Sequence, residues 1–545
     1  MAFFSLRAYD ADVRIPSFLG IKQDDVSLNA DIRYATEALN VETPDGALQP
    51  HAGYRVMTGE FEHRIETLAS FSRRWYDGPG KKEWLVCSTG GKIYSRQVGD
   101  NVGWLEIELP SGVTAFTNNT WSWVTYEINQ DGIDHPLDVL LMSNQDDGMI
   151  MVIPPDRPSL WKDNANKTWG EGATETWRDF YSPDWVIQPI DTRADTSQGT
   201  IADGPKFGII ERYAERIWGG MIKDEPDTLI YSRSYDPTDW TGPGAEEEPE
   251  VGGGEIRQPS WDGDKFTALK SFGSQLLAFK ANRIWRVMGT DPGEYTFKEQ
   301  FGGGAPYVNT IAVDVERVLM AYADGLAVYD GMSVSPYARE QFKEIWSHVN
   351  TEAMDQMVGT LFKDRYYLAF PVDGSAVNNA LLVFNKVNGT ILYYRDVEIE
   401  SMLATTDELY ATSSSLPGKS IILRYDSWKD GQCSGAATRW VSPWMDFGRK
   451  DIRKGGMDLY FQPEVKDTAV TITFKVQTEK KIKSKTYTVQ PLTEASVTAG
   501  KSHKMKRIHI GGVGRRFRVI IETAEGAAVW RLIGGIQMIV ETDPD

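Results

Sequence analysis

The chain has 545 residues, long enough for more than one domain, and its 50 Gly, 23 Tyr, 21 Phe and 18 Trp suit many short strands joined by tight turns. Its formal net charge of −19 is uneven, because residues 438–545 carry 19 Lys/Arg against 12 Asp/Glu, a net of +7, which leaves −26 for the remainder. Such an acidic body repels polyanions, so the charge argues against a protein that wraps nucleic acid.

No apolar run reaches membrane-spanning length, and the first residues lack the long apolar core of a signal peptide. Two cysteines are too few for a disulfide framework. We therefore expect no membrane segment and folding in a reducing cytosol.

Residues 1–59 are predicted to form an N-terminal arm. The arm contains the sequence Pro44-Asp45-Gly46 between two runs with alternating apolar residues. Asp-Gly is a strong turn signal because glycine adopts positive φ without steric cost. The arm is therefore expected to include a hairpin at this point.

Residues 60–426 contain a repeated unit in which a turn with glycine is followed by a short alternating strand. In YADGLAVYDG (Tyr322–Gly331), two Asp-Gly pairs bracket such a strand, which is typical of a hairpin meander. Similar units are STGGKIYSRQ (Ser88–Gln97), DDGMIMVIPP (Asp146–Pro155), DTLIYSRS (Asp227–Ser234), ANRIWRVMG (Ala281–Gly289), NALLVFNKVNG (Asn379–Gly389) and KSIILRYDS (Lys419–Ser427). A period of roughly 40–50 residues with several strands per unit is typical of propeller blades. The sequence thus predicts an all-β fold with a six- or seven-bladed β-propeller, and a large, regular β-sandwich is the alternative.

Two insertions interrupt the predicted propeller. The first, at residues 156–204, is polar and rich in tryptophan, and the second, at 241–259, begins with the low-complexity acidic sequence TGPGAEEEPEVGGGE. One helix is predicted over Pro336–Val349, where Phe342, Ile345 and Trp346 recur at helical spacing.

Residues 438–545 are predicted to form a separate C-terminal β-sandwich domain, because short alternating strands follow one another at regular spacing. Two basic stretches, Lys480–Lys485 and Lys501–Arg518, lie in this domain. Their basic residues alternate with apolar ones, which favours solvated outer strand faces, and contact with phosphate is the alternative.

The sequence motifs that usually mark catalytic or ligand-binding sites are incomplete in this chain. ASVTAGKS (Ala495–Ser502) fits a relaxed phosphate-loop pattern, but a strand-like run follows where that site requires a helix. SWDGDKF (Ser260–Phe266) is similar to the turn repeated in sialidase propellers, but Asp264 occupies the required glycine position. The six histidines are scattered along the chain. We therefore predict no catalytic residues, no metal site and no cofactor, and expect that the protein is not an enzyme.

Several longer sequence segments resemble those of a known protein family. In chain order they are EALNVETPDGALQPHAGY, DPTDW (Asp236–Trp240), LLAFKANRIWRVMGTDP (Leu276–Pro292), FGGGAPYVNTIAVDVERVLMAYADGLAVYDGMSVSPYA and RRFRVIIETAEGAAVWRLIGGIQM. Together they span nearly the whole chain, which resembles the tail hub or nozzle proteins of short-tailed bacteriophages.

The resemblance implies a structural virion protein. Such proteins form a ring, typically of six subunits, at the distal end of the tail, where they retain packaged DNA and provide its ejection channel. The implied partners are upstream tail adaptor proteins, tail fibres or spikes, and viral DNA in transient passage. The implied location is the virion tail, after synthesis and assembly in the host cytoplasm. The family defines no binding residue by motif, so none is carried over.

Two stretches are candidate functional sites. The acidic loop over Thr241–Glu255 combines five glutamates with glycine and proline, and it is expected to be mobile. It is either an exposed tip or a channel-lining loop whose carboxylates repel DNA; the glutamates are Glu246, Glu247, Glu248, Glu250 and Glu255. The tryptophans of the first insertion, Trp161, Trp169 and Trp177, are candidates for an interface with a neighbouring subunit.

The alternative function is a carbohydrate-binding or receptor-binding propeller of a phage tail, with a possible glycan-cleaving activity. That function requires tryptophans and carboxylates clustered at one end of the central channel. The tryptophan-rich insertion is the one candidate for such a cluster in the sequence.

Overall fold

The structure is a computed structural model, and it describes the greater part of the chain. The described residues are 9–23, 30–57, 61–73, 82–99, 103–128, 137–155, 157–158, 181–182, 185–197, 199–244, 247–248, 250–257, 264–300, 302–395, 398–416, 419–425, 435–448, 450–465, 467–492 and 504–542.

Seven four-stranded antiparallel sheets follow one another along the chain. The first three blades consist of Thr67–Arg73, Lys82–Thr89, Lys92–Gln97 and Leu105–Glu106; of Ser122–Ile128, Leu137–Asn144, Gly148–Ile153 and Val186–Pro189; and of Ile209–Tyr213, Arg216–Gly220, Thr228–Tyr231 and Gly254–Arg257. Within the first insertion, Arg157–Pro158 pairs with Tyr181–Ser182.

The other four blades have the same strand order. Blades four and five consist of Ala268–Phe272, Gln275–Phe279, Ile284–Met288 and Thr296–Gln300, and of Ala312–Val313, Val318–Tyr322, Gly325–Tyr329 and Val334–Tyr337. Blades six and seven consist of Val358–Phe362, Arg365–Phe370, Ala380–Asn385 and Ile391–Tyr394, and of Ser401–Ala404, Leu409–Leu416, Lys419–Tyr425 and, from the chain's beginning, Tyr54–Val56.

The seven sheets form a closed ring. The first strand of each blade contacts the first or second strand of the next, and Ser401–Ala404 of blade seven contacts Thr67–Arg73 of blade one. Blade seven is completed by the N-terminal arm, because Tyr54 pairs with Tyr425 and Val56 with Leu423. This topology confirms the all-β propeller fold, fixes the number of blades at seven, and excludes a large sandwich for the repeats.

The C-terminal residues form two sheets, and each contains a strand from the arm. The four-stranded sheet has the order Tyr9–Ile15, Trp530–Thr542, Lys454–Val465 and Lys506–Gly514. The five-stranded sheet has the order Glu37–Leu39, Thr438–Val441, Phe517–Thr523, Val470–Thr478 and Ile482–Val489. Burial alternates along these strands as expected for two sheets packed face to face over a shared core.

The arm connects the sandwich to the propeller. Its short hairpin pairs Val41–Glu42 with Gln49–Pro50. The turn between them contains a 3₁₀ segment, Pro44–Gly46, in which Asp45 and Gly46 have φ of 51° and 77°, the left-handed region that glycine tolerates best. One hydrophobic cluster joins residues of the arm, blades five and six, and both sandwich sheets. The two units therefore share a continuous core.

The predicted helix is much shorter than expected. A 3₁₀ segment, Arg339–Phe342, precedes one α-helical turn, Lys343–Trp346. Further 3₁₀ segments are Ile201–Asp203, Val308–Thr310 and Thr351–Gln356. Pro336 belongs to a strand instead, so the prediction of a helix over Pro336–Val349 is wrong outside this turn. In the part of the chain that the structure describes, no helix has the length and apolarity needed to cross a membrane.

Candidate interaction surfaces

The acidic loop lies at the outer edge of blade three. It joins the third strand of that blade, Thr228–Tyr231, to its outermost strand, Gly254–Arg257. The four strands of a propeller blade are arranged in sequence order from the central axis outward. A loop between the third and fourth strands therefore lies at the rim and not over the propeller's own central channel.

A buried arginine attaches this loop to the blade. Arg216, only 1% exposed, donates from Nη1 to the carbonyl oxygens of Ser232 and Gly252, each at 2.7 Å, and from Nη2 to the carbonyl of Glu250. Its guanidinium also lies 5.3 Å from the centre of the Tyr231 ring, close enough for a cation–π interaction. A buried guanidinium needs several acceptors, and here the loop backbone supplies them.

A second arginine orders the tip of the loop. Arg233 donates to the Glu247 carboxylate at 2.7 Å, and the backbone N–H of Gly244 donates to the same carboxylate at 2.9 Å. Both hydrogen bonds lower the pKa of Glu247, and the bond from Gly244 has the larger effect. These contacts hold the described tip of the loop against the blade, and the mobility of the stretch stays a prediction.

The remaining described glutamates of the loop are available to solvent. Glu248, Glu250 and Glu255 are exposed, and within the described ranges none of their carboxylates has an ion-pair partner. Glu246 lies outside the described residues, as do Trp161, Trp169 and Trp177. The choice between an exposed tip and a channel-lining loop therefore stays a prediction.

Replacement of Arg216 by alanine is expected to release the loop. It leaves three carbonyl oxygens without a donor, so we expect the free energy of unfolding to fall by about 2–4 kcal/mol and cleavage by a glutamate-specific protease after Glu250 to accelerate. The matched control is Arg283→Ala, which removes an exposed pair with Glu299 at 3.1 Å and should cost less than about 1 kcal/mol. Equal stability losses in the two variants would show that Arg216 does not hold the loop.

The inner strands of the propeller carry few charged groups. Glu211 on the first strand of blade three and Lys270 on that of blade four are both partly accessible. Burial raises the pKa of Glu211, and the positive charge of Lys270 opposes that rise. Among the described residues, no group of three or more His, Cys, Asp or Glu side chains has a geometry that suits a metal ion.

Both faces of the propeller are acidic. The described loops that join strands one to two and three to four contain 14 Asp/Glu and 4 Lys/Arg. The described loops of the opposite face contain 20 Asp/Glu and 10 Lys/Arg. Neither face therefore offers a positive surface that would hold a nucleic-acid backbone.

The sandwich contains the basic stretches, and they differ from each other. In the strand Lys506–Gly514, Arg507 and His509 lie on the outer face and contact the carboxylate of Asp458 at 2.5 and 3.0 Å. Lys480–Lys485, in contrast, reaches the exposed edge strand Ile482–Val489. The phosphate-loop-like residues 495–502 lie outside the described part of the chain.

A pocket of about 280 Å³ lies where the arm meets blade six. In its wall, Asp373 contacts His348 at 3.1 Å and accepts a hydrogen bond from Arg395 at 2.7 Å. Burial raises the pKa of Asp373, but the contacts with Arg395 and His348 outweigh it and leave that pKa lowered. The carboxylate is thus already occupied by two partners within the protein.

Sequence reasoning missed the role of Arg216. It begins an otherwise apolar strand, RIWGG, and burial of a lone arginine depends on acceptors from a loop about 35 residues away. The signal that could have identified it is an arginine at the start of an apolar strand, followed by a glycine-rich loop.

No protein-family model and no curated protein matches this sequence. Similar solved structures include the Neurospora crassa Pan2 WD40 domain, with 10% identity, a TM-score of 0.33 and coverage of 70% of this chain and 96% of that chain. Another is a mutant of Trypanosoma rangeli sialidase displaying trans-sialidase activity, with 9% identity, a TM-score of 0.28 and coverage of 99% and 97%. At such low identities and TM-scores neither similarity bears on activity, and the fold assignment rests on the sheet topology. By that topology the chain is a seven-bladed β-propeller joined to a β-sandwich.

Proposed function

We propose that the protein is a structural component of a short-tailed bacteriophage tail. In this proposal several copies, six by the resemblance, form a ring at the distal end of the tail, retain the packaged DNA and provide its ejection channel. This role is suggested by the order along the chain of the segments that resemble tail hub or nozzle proteins. The observation that carries the proposal is the excess of carboxylates on both faces of the propeller.

The physical argument concerns passage of a polyanion. Each contact between a phosphate and a basic side chain adds a salt-sensitive attraction, and a row of them would slow the movement of DNA. A conduit is therefore expected to be acidic or neutral where DNA passes. The propeller meets that requirement, because acidic residues outnumber basic ones at least two to one in the described loops of each face.

The proposed role is not enzymatic and needs no cofactor. Its partners are further copies of the chain, upstream tail adaptor proteins, and tail fibres or spikes, and its location is the virion tail. Receptor or glycan binding is the competing function. It depends on the tryptophans of the first insertion, which lie outside the described residues, so no observed geometry favours it.

Neutralising the acidic loop tests the link between charge and DNA passage. With Glu246, Glu247, Glu248, Glu250 and Glu255 replaced by glutamine, a channel-lining loop should alter DNA retention or the ejection rate. The change should be largest at low salt, because screening weakens the repulsion between carboxylates and phosphates as ionic strength rises.

The matched control has the same change in charge at exposed glutamates on the opposite face. These are Glu62, Glu66, Glu108, Glu225 and Glu352. Both variants are introduced into phage particles, and ejection is followed by DNA-dye fluorescence across ionic strengths. Normal ejection by the loop variant at every salt concentration would show that the loop is only a solvated rim.

A further inference from the structure

The edge of the five-stranded sandwich sheet carries a concentrated positive charge. Lys480, Lys481, Lys483 and Lys485 all lie in or next to the strand Ile482–Val489, and all four are exposed. Within the described part of the chain, none of the four ammonium groups has a carboxylate partner. We call these four residues the lysine edge.

Several other cations of the sandwich have carboxylate partners. Arg439 lies 2.7 Å from the carboxylate of Glu37 and also contacts Glu522, and Lys475 contacts Glu522 as well. On the opposite sheet, Arg507 pairs with Asp458. Among the described residues the lysine edge has no such neutralising carboxylate, so its positive charge is available for an electrostatic contact.

The strand geometry shows what kind of contact the lysine edge suits. Among the described residues, Ile482–Val489 pairs with the strand Val470–Thr478 alone. Lys483 lies opposite Val476, and Lys485 lies opposite Phe474. Both lysines are therefore on the face of the sheet that covers the core, but on its outermost strand, where they stay exposed. Lysines in this position oppose the addition of another strand, and one or two are enough for that purpose. Four lysines within six positions suit an electrostatic contact instead.

We propose that the lysine edge docks onto the acidic propeller of a second copy of this chain. This inference rests on the proposed ring and names the surface that would join neighbours in it. The supporting observation is charge complementarity within one sequence, +7 in residues 438–545 against −26 in the rest. A contact between two different surfaces of identical chains is heterologous, and repeated heterologous contacts form a ring when the rotation between neighbours closes.

A second copy suits the lysine edge better than nucleic acid does. DNA near the lysine edge would also meet the field of a chain whose total charge is −19. A second propeller instead brings carboxylates against the lysines and reduces the repulsion between the two acidic bodies. Electrostatic complementarity of this type sets orientation and partner choice in protein complexes.

Zero-length cross-linking of the full-length protein tests the contact. Equal amounts of ¹⁵N-labelled and unlabelled chains are mixed at low salt, treated with a carbodiimide that joins amines to carboxylates in contact, and analysed by mass spectrometry. We expect mixed-isotope links from the lysine edge to carboxylates within residues 61–425 of the other copy. These links should disappear near 1 M salt, where the Debye length is about 3 Å.

Charge reversal gives an independent measurement. The variant with Lys480, Lys481, Lys483 and Lys485 all replaced by Glu is expected to weaken self-association in sedimentation equilibrium by about tenfold or more. The control replaces four exposed basic residues of the sandwich outside the lysine edge, Arg14, Lys450, Arg453 and Lys504, by Glu. It makes the same change in charge and should change the association much less.

Three results with the purified protein would overturn the proposal. They are the absence of mixed-isotope links from the lysine edge, equal association of the two variants, and binding of a DNA duplex at 0.15 M salt that only the lysine-edge reversal abolishes. A ring that remains intact in particles carrying the reversal would reject this interface and leave the proposed function standing. Wild-type particles without a ring would reject the function itself.

Discussion

Deletion of residues 1–57 is expected to abolish soluble folding. The deletion removes one strand from each of three sheets: Tyr9–Ile15 and Glu37–Leu39 from the sandwich, and Tyr54–Val56 from blade seven. It also removes Phe18 and Leu48, which are fully buried in the shared core. Three unpaired sheet edges and an uncovered apolar surface together favour aggregation.

The measurement is the soluble fraction after expression, followed by thermal melting of any soluble protein. The control lacks only residues 1–8 and retains all described strands, so it should be soluble and melt as the full chain does. A 1–57 deletion that is soluble and melts cooperatively at an unchanged temperature would show that the arm does not close the propeller.

Trp440→Ala is expected to cause the largest loss of stability among single substitutions in the shared core. Trp440 is 0% exposed and packs edge-to-face on Phe18 of the arm, with 5.1 Å between ring centres. Its indole nitrogen has no hydrogen-bond partner among the described residues, so the loss reflects packing alone. Removing a buried tryptophan should lower the free energy of unfolding by about 3–5 kcal/mol.

Chemical denaturation measures this loss. Tyr235→Ala serves as the control, because Tyr235 is 65% exposed, and its removal should change stability by less than about 0.5 kcal/mol. A loss below about 1 kcal/mol for Trp440→Ala would mean that the arm and the sandwich do not share a rigid core.

The repeated strands were predictable because their signals are local. In YADGLAVYDG the structure has the predicted hairpin, with strands Val318–Tyr322 and Gly325–Tyr329. Turn residues and alternation act over a few positions, so each hairpin is encoded in its own sequence.

The closure of the ring was not predictable in the same way. Tyr54 pairs with Tyr425, far along the chain, and nothing in either short segment specifies the other. The predicted helix failed for a related reason, since Phe342, Ile345 and Trp346 are buried as a helical face would require, but only one turn forms. Apolar spacing therefore identified the buried residues and not the backbone that carries them.

The charged surfaces were predictable only as totals. The sequence separates an acidic body from a basic C-terminal domain, but it does not show which charges have partners. Glu247 is paired with Arg233, whereas the neighbouring Glu248 is not. Because such pairing depends on long side chains brought together by distant strands, it becomes visible only in the folded structure.

The most direct test of the central claim is electron microscopy of phage particles in which this chain carries a small label. The proposed function predicts a ring of several copies at the distal end of the tail, six by the resemblance, surrounding the path of the DNA. A single central copy, or peripheral trimers away from that path, would contradict the ring and indicate a receptor-binding protein instead.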